Sequence, residues 1–221
     1  MTALITLSHG SRHPRAAEGV RALTRAAAAE LGVVGADAHL EFNTPDLVQA
    51  AAALAAAGHR DAIVVPLLFT RAFHATVDVP DAVEAASAHL NITLAQPIGM
   101  GAELADVLAG RVPADATRVV LYPVGTSNPE QAEAYEALAG AVEKRTALPT
   151  HVVAATRGGA DALPALAPFH LVPLFVTHGT LLDAAYQALP AGCTASGPLT
   201  TALTGVVANR YRSKENAHVQ A

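Results

Sequence analysis

The chain has 221 residues, a formal net charge of −5 and hydrophobic residues at 52%, with a mean hydropathy of +0.32. No basic block and few aromatics argue against nucleic acid as a partner, and no apolar run reaches the roughly 20 residues that a bilayer span requires. A single cysteine, Cys193, excludes an internal disulfide and any cysteine-built cluster or zinc finger within one chain.

The length fits one large or two small domains. The N-terminus shows neither the basic region nor the apolar core of a signal peptide, so a cytoplasmic setting is expected. Much of the apolar content is alanine, which suits helices packed closely on a sheet.

Leu4 to Ser8 is a short apolar run, the pattern of a strand buried on both faces. Gly10 ends it, and Pro14 suits the first turn of a helix, where a missing N–H costs nothing. His9 therefore stands where a strand gives way to a loop. In an open α/β sheet that is the carboxyl edge, where ligands bind. A helix follows to Leu31, with Ala16, Val20, Leu23, Ala27 and Leu31 on one stripe and Gly32 as its stop.

A second strand is expected over 36–42, containing Glu41. Asn43-Thr44-Pro45-Asp46 reads as a helix start, with a cap candidate followed by proline and an acid in the first turn, and the helix runs to Ala57. A third strand over 62–69 contains Pro66, which suggests a bulge or an edge because proline donates no ladder bond. Thr70 to Pro80 carries Arg71, His74 and Asp78, and Asp78 reads as the cap of a helix over 81–90. A strand over 92–95 and a helix over 101–108 complete a first half. Alternating strands and helices point to a doubly wound parallel sheet.

The pattern then restarts. Residues 119–138 align with 4–23 at a shift of 115, pairing Gly10 with Gly125, Ser11 with Thr126 and Pro14 with Pro129. Val65-Pro66-Leu67 matches Val172-Pro173-Leu174 at a shift of 107, so the second half has a shorter segment near 157–168. Two ordered anchors indicate a tandem duplication, with halves 1–113 and 114–221. The fold expected is α/β, two tandem doubly wound parallel-sheet halves. The tail from Ser213 reads as polar and frayed. Val124 replaces His9 and Leu181 replaces His74 in the second half, so one working site per chain is expected, in the first half.

Three loops of such a sheet open on one edge, and they carry His9, Glu41 and His74. Two imidazoles and a carboxylate suit a divalent first-row metal such as Fe, Co, Ni or Zn. The bland alternatives are strand-end histidines bonded to backbone and a solvated carboxylate at Glu41. Arg12, His13 and Arg15 oppose the dipole of the helix they begin. An anionic ligand, met also by the N–H groups of Gly10 and Ser11, explains them, as does plain solvent exposure. Arg71 reads likewise. His178 and Asp183 begin a helix at the corresponding edge of the second half. His39, His59, His89, His151, His170 and His218 read as structural or surface residues, and Cys193 as a small core hydrophobe.

Leu7-Ser8-His9-Gly10-Ser11-Arg12-His13-Pro14 resembles the opening signature of the class II chelatases, the family of sirohydrochlorin ferrochelatase and sirohydrochlorin cobaltochelatase. Leu40-Glu41-Phe42 with Pro45-Asp46-Leu47 resembles the second segment of that family. Residues 65–69, followed by His74 and Asp78-Val79-Pro80, resemble the third. Longer members also carry two tandem halves, the second degenerate.

The resemblance implies insertion of a divalent metal into sirohydrochlorin. His9, His74 and Glu41 match metal-handling and catalytic residues, and no organic cofactor is implied. Ferrous iron is expected first as the metal substrate, with Co2+ or Ni2+ as alternatives. The eight carboxylates of sirohydrochlorin give Arg12, Arg71, Gly10 and Ser11 a role in holding the ring. A monomer or weak dimer is expected. Two alternatives stand beside this: a metal or tetrapyrrole carrier without catalysis, and a histidine phosphatase edge at Arg12-His13. The phosphatase pattern wants Arg-His-Gly with its histidine at the strand end, and Pro14 follows His13 instead.

Overall fold

A computed structural model of the chain describes residues 2–70 and 78–219, with side chains through residue 216. The chain forms two compact units, Met1–Gly99 with Thr200–Ala221, and Met100–Leu199. Arg71 and His74 lie outside the described residues.

The first unit is a four-stranded parallel sheet in the order β2-β1-β3-β4, built from β1 (Ala3–Ser8), β2 (Gly35–His39), β3 (Asp61–Pro66) and β4 (Asn91–Leu94). Ser8 faces His39 in register, and Leu7 faces Pro66. One sheet face presents Ala3, Ile5, Leu7, Ala62 and Val64 to α2 (Leu47–Ala56) and α3 (Val79–Ala86), which contribute Leu47, Leu54, Val79 and Ala86. Each large aliphatic side chain so buried contributes about 1.5–3 kcal/mol. From the other face Thr6 bonds Thr24 of α1 (Ala16–Leu31), hydroxyl to hydroxyl at 2.5 Å.

Helix α1 buries Ala16, Val20, Leu23 and Ala27 of the predicted stripe and leaves Leu31 half-buried, and Gly32 closes it at φ 68°, in the left-handed region. Helix α2 is capped by Asp46, the acid expected in its first turn. The Asp46 carboxylate accepts the Gln49 N–H, and the Gln49 side chain accepts the Asp46 N–H, a reciprocal capping box.

Three further expectations are corrected. Strand β2 stops at His39, so Glu41 and Phe42 lie on the loop beyond it. Pro66 marks neither bulge nor edge; it is the last residue of a central strand, where its carbonyl still accepts from Ile98 N–H and Leu67 resumes donation to Leu7. Asp78 stands at the N-cap position of α3 with helical backbone angles, and its side chain makes no capping bond.

The second unit repeats the plan. Strands β5 (Val119–Pro123), β6 (Thr150–Val152), β7 (His170–Leu174) and β8 (Thr194–Ala195) run parallel in the order β6-β5-β7-β8. Helix α4 (Ala102–Ala109) packs on α5 (Pro129–Thr146), and α6 (Thr180–Gln187) packs on a 3-10 segment at Gly159–Leu166. That segment replaces the longer helix of the first unit, where the shortened stretch was expected. Asn128 caps α5 by accepting the Glu130 N–H, and Pro129 follows it. Cys193 packs, half buried, against the cluster of Val120, Tyr122, Leu163 and Leu171.

Helix α4 follows β4 in sequence, yet it belongs to the second unit. The C-terminal helix α7 (Thr204–Val219) belongs to the first, where it packs on α1. Its helical structure covers 213–219 of the tail expected to fray. The cause is tertiary: Tyr211 is fully buried and donates its hydroxyl to Thr2 carbonyl at 2.7 Å, and Arg212 pairs with Glu30 at 3.1 Å.

Candidate functional site

The site grows from the loop between β1 and α1. Gly10 adopts φ +95°, and a Cβ placed there would lie 1.8 Å from the carbonyl oxygen of Glu41. Only glycine fits both demands. The close approach continues the β1–β2 ladder past the strand ends: Leu40 N–H donates to Ser8 carbonyl and Glu41 N–H to His9 carbonyl, each at 2.9 Å. The side-chain oxygen of Asn43 then accepts the Ser11 N–H at 2.8 Å. Backbone bonds thus lace the His9 loop to the Glu41 loop.

Beyond Glu41 the chain turns sharply. Asn43 N–H donates to Glu41 carbonyl at 2.7 Å across Phe42, whose φ is +62°. The Phe42 ring is 51% exposed. It meets the His9 ring edge-on, with centroids 6.0 Å apart and planes at 88°. The Arg12 guanidinium lies over the same ring, 4.9 Å from its centroid. An imidazole, an aromatic face and a guanidinium are thereby gathered at the carboxyl edge of β1. This set can hold a cation at the imidazole and an anion at the guanidinium.

Directly behind, Ser8 Oγ and His39 Nδ1 are 2.7 Å apart, and His39 Nε2 lies 3.4 Å from the Asp37 carboxylate. His39 is 1% exposed. Burial works to raise the Asp37 pKa. The bond from His39 and the charges of Arg21 and His39 outweigh it and hold the carboxyl below its usual range. This chain of side chains ties the last rung of β1 to β2 from the α1 face, directly beneath His9.

The predicted residues separate into groups. His9, Gly10, Arg12 and the Glu41 backbone lie together, while the Glu41 side chain, expected as a ligand, is exposed. The Ser11 N–H is already engaged by Asn43, so it is not open to an anion. His13 is buried, and its Nδ1 accepts the Arg15 N–H at 3.1 Å; it shapes the helix entry rather than facing a ligand. Among the described residues no group of three or more His, Cys, Asp or Glu is arranged to hold a metal ion. His74 and Arg71 are outside that set. His178 precedes the Gly179 cap of α6, and Asp183 lies in its first turn.

Sequence reading missed three participants: Phe42, Asn43 and His39. Phe42 was hidden because an aromatic residue after two alternating positions reads as more strand. Asn43 reads as part of a helix start, with nothing local to point to Ser11. His39 carried one available signal, its alternation with Asp37 on a strand that ends beside His9.

The second unit preserves this loop architecture without its chemistry. Gly125 sits at φ +101°, where a Cβ would meet Thr156 Oγ1 at 2.5 Å. Ala155 and Thr156 extend the ladder to Pro123 and Val124. Thr126 Oγ1 accepts the Asn128 N–H at 3.1 Å, as Ser11 Oγ accepts that of His13. Val124 replaces His9, Thr156 replaces Glu41 and Leu181 replaces His74. Val124 and Leu181 are exposed apolar side chains.

Comparison with known proteins agrees with this picture. The family model CbiX matches residues 3–115. A protein named sirohydrochlorin cobaltochelatase from Sulfurisphaera tokodaii is 40% identical over 73 residues, 33% of this chain and 60% of that protein. A Bacillus subtilis protein named sirohydrochlorin ferrochelatase is 31% identical over 137 residues, 58% of this chain and 52% of that protein. The chain thus spans between half and two thirds of the length of the curated relatives it matches. In structure it is similar to SirB from Bacillus subtilis with Fe3+, with a TM-score of 0.79 at 23% identity over 100% of this chain and 98% of that one. It is also similar to CbiX, described as the terminal enzyme for biosynthesis of siroheme in denitrifying bacteria, with a TM-score of 0.71 at 19% identity over 96% and 99%. These two likenesses establish the fold over the full length. The sequence match through the unit that bears His9, Gly10 and Glu41 establishes more: the chain belongs to the CbiX family.

Proposed function

We propose that the protein is a chelatase that inserts a divalent metal ion into sirohydrochlorin, with ferrous iron as the first candidate. The observation that carries this reading is the placement of His9. It stands on a glycine-locked loop at the carboxyl edge of β1, with Arg12 and an exposed aromatic ring beside it. The names of the curated relatives support the substrate class.

Metal insertion has two requirements that these residues address. The incoming ion must be held while it sheds water, and the two pyrrolic protons must leave. In this reading His9 and His74 hold the ion and accept protons as neutral imidazoles. Glu41, exposed at the end of its loop, passes protons to solvent. Arg12 and Arg71 meet peripheral carboxylates of the ring. Val124 and Leu181 leave the second unit with no ligand of its own, so a chain has one working site. It acts as a monomer or weak dimer, in the cytoplasm, without an organic cofactor.

Cobalt is the second reading, favoured by the cobaltochelatase name of the relative with 40% identity. Anaerobic mixing of the protein with sirohydrochlorin and Fe(II), Co(II) or Ni(II) in turn tests both. The absorption change of the ring reports the rate for each ion. Acceleration over the protein-free rate with Fe(II) supports the leading reading, and a preference for Co(II) moves the assignment to cobalt. Stoichiometric binding of ring or ion without acceleration makes the protein a carrier.

A further inference from the structure

We propose that Phe42 is the platform on which the flat ring of the substrate rests, and that it sets the spacing between the metal-handling imidazole and the carboxylate anchor. This rests on the chelatase reading and names a specificity residue of the same site.

Three independent observations converge on the residue. The first is exposure. Phe42 is the one aromatic among the large hydrophobic side chains exposed in the described residues, and at 51% it is the most exposed of them. The second is backbone conformation. An i to i+2 hydrogen bond from Asn43 to Glu41 across a residue at φ +62° marks the left-handed γ-turn, the rarer and strained form. A bulky residue at positive φ is disfavoured, and such strain gathers at binding and catalytic sites. Here the turn is held from both sides, by the Glu41 carbonyl against Gly10 and by Asn43 bonded to Ser11. The third is company. The Phe42 ring touches both the His9 imidazole and the Arg12 guanidinium.

A ligand that satisfies this arrangement is flat, conjugated and anionic at its rim. Its π face stacks on Phe42, a rim carboxylate reaches Arg12, and its centre comes to the ion held at His9. Through Phe42 the two polar partners are separated by one ring contact on each side. That separation selects for a macrocycle whose acidic groups stand off its centre, rather than for a free metal chelate or a small acid.

The test uses Phe42→Gly and Phe42→Tyr in the full chain. Glycine accepts positive φ at no cost, so Phe42→Gly removes the ring while relieving the turn, and the loop stays folded. Metal-free sirohydrochlorin is titrated by its absorption, and Co(II) alone by calorimetry. The expected result for Phe42→Gly is sirohydrochlorin binding weakened about tenfold or more, by loss of one aromatic stacking contact. KM for the ring rises accordingly, Co(II) binding is unchanged, and Phe42→Tyr restores ring affinity. Wild-type ring affinity in Phe42→Gly overturns the proposal. Parallel loss of Co(II) binding also overturns it, since the residue would then only shape the loop. If the wild-type chain itself neither binds nor metallates sirohydrochlorin, the chelatase reading falls, and this inference with it.

Discussion

The carbonyl oxygen of Glu41 occupies the place where any side chain on residue 10 would begin, 1.8 Å from an ideal Cβ on Gly10. Two loops, one bearing His9 and the other Glu41, touch backbone to backbone at that point. Gly10→Ala therefore must push the loops apart and also hold alanine at φ +95°. Strain at positive φ together with overpacking predicts a loss of about 2–5 kcal/mol in unfolding free energy by urea titration, with chelation abolished. Gly140→Ala is the contrasting case. Gly140 lies inside α5 with nothing within 4 Å of an added Cβ, so alanine there is expected to add about 0.5–1 kcal/mol of stability.

Asn43 acts across the loops rather than within its own. Asn43→Ala removes the acceptor for the Ser11 N–H, at a cost of about 1 kcal/mol. Since Asn43 helps hold the His9 loop, turnover is expected to fall by more than stability does. Asn43→Asp keeps an acceptor at the same place and is expected to recover most of the lost turnover. Steady-state rates beside melting curves for the three proteins check this.

His9 is half-buried and outside the apolar core. His9→Ala is therefore expected to leave the melting temperature within a few degrees of wild type while metal insertion falls by at least a hundredfold, in the range of lost acid–base and ligand roles. Arg12→Ala is expected to raise KM for the ring with little change in kcat. Normal turnover in His9→Ala would remove the metal-handling role.

Acid sensitivity is expected from the second unit. His170 is buried, with Nδ1 2.7 Å from Thr194 Oγ1 and Nε2 2.9 Å from Ser196 Oγ. Burial, then the charge of Arg111, lower its pKa below the usual 6.5. In the window below 6.5 the unfolded chain binds a proton that the folded chain refuses. Stability contributed by the neutral ring is present above that window and is lost as pH falls through it. Melting temperatures recorded from pH 8 to pH 5 should decline in wild type and decline less steeply in His170→Gln.

The fold was readable because its signals are local. Gly10, Gly32 and Pro14 mark the ends of elements by backbone requirements alone, and Gly125 and Pro129 repeat them at a fixed shift. The position of His9 followed from the same marks. Phe42 and Asn43 were not readable, since their roles depend on partners about 30 positions away. The Asn43 side chain was free to cap a helix by every local rule until Ser11 claimed it and Asp46 took the cap. His13 was misread for a similar reason. Its charge type suggested an anionic ligand or plain solvent exposure, whereas it is buried and accepts the Arg15 N–H. Exposure of the Glu41 side chain came from β2 ending at His39, three residues early, which periodicity cannot resolve.

The division of the repeat in sequence and the division of the folded chain fall in different places. The polypeptide changes unit after Gly99 and again after Leu199. A cut at the repeat boundary, between 113 and 114, would give one piece that carries α4 without α5 and another that carries α7 without α1. Each piece would then own a helix whose apolar partner is on the other piece. Such fragments are poor candidates for separate folding and good ones for complementation: co-expressed, they have reason to find each other, and a reporter split there would switch on only when both are present.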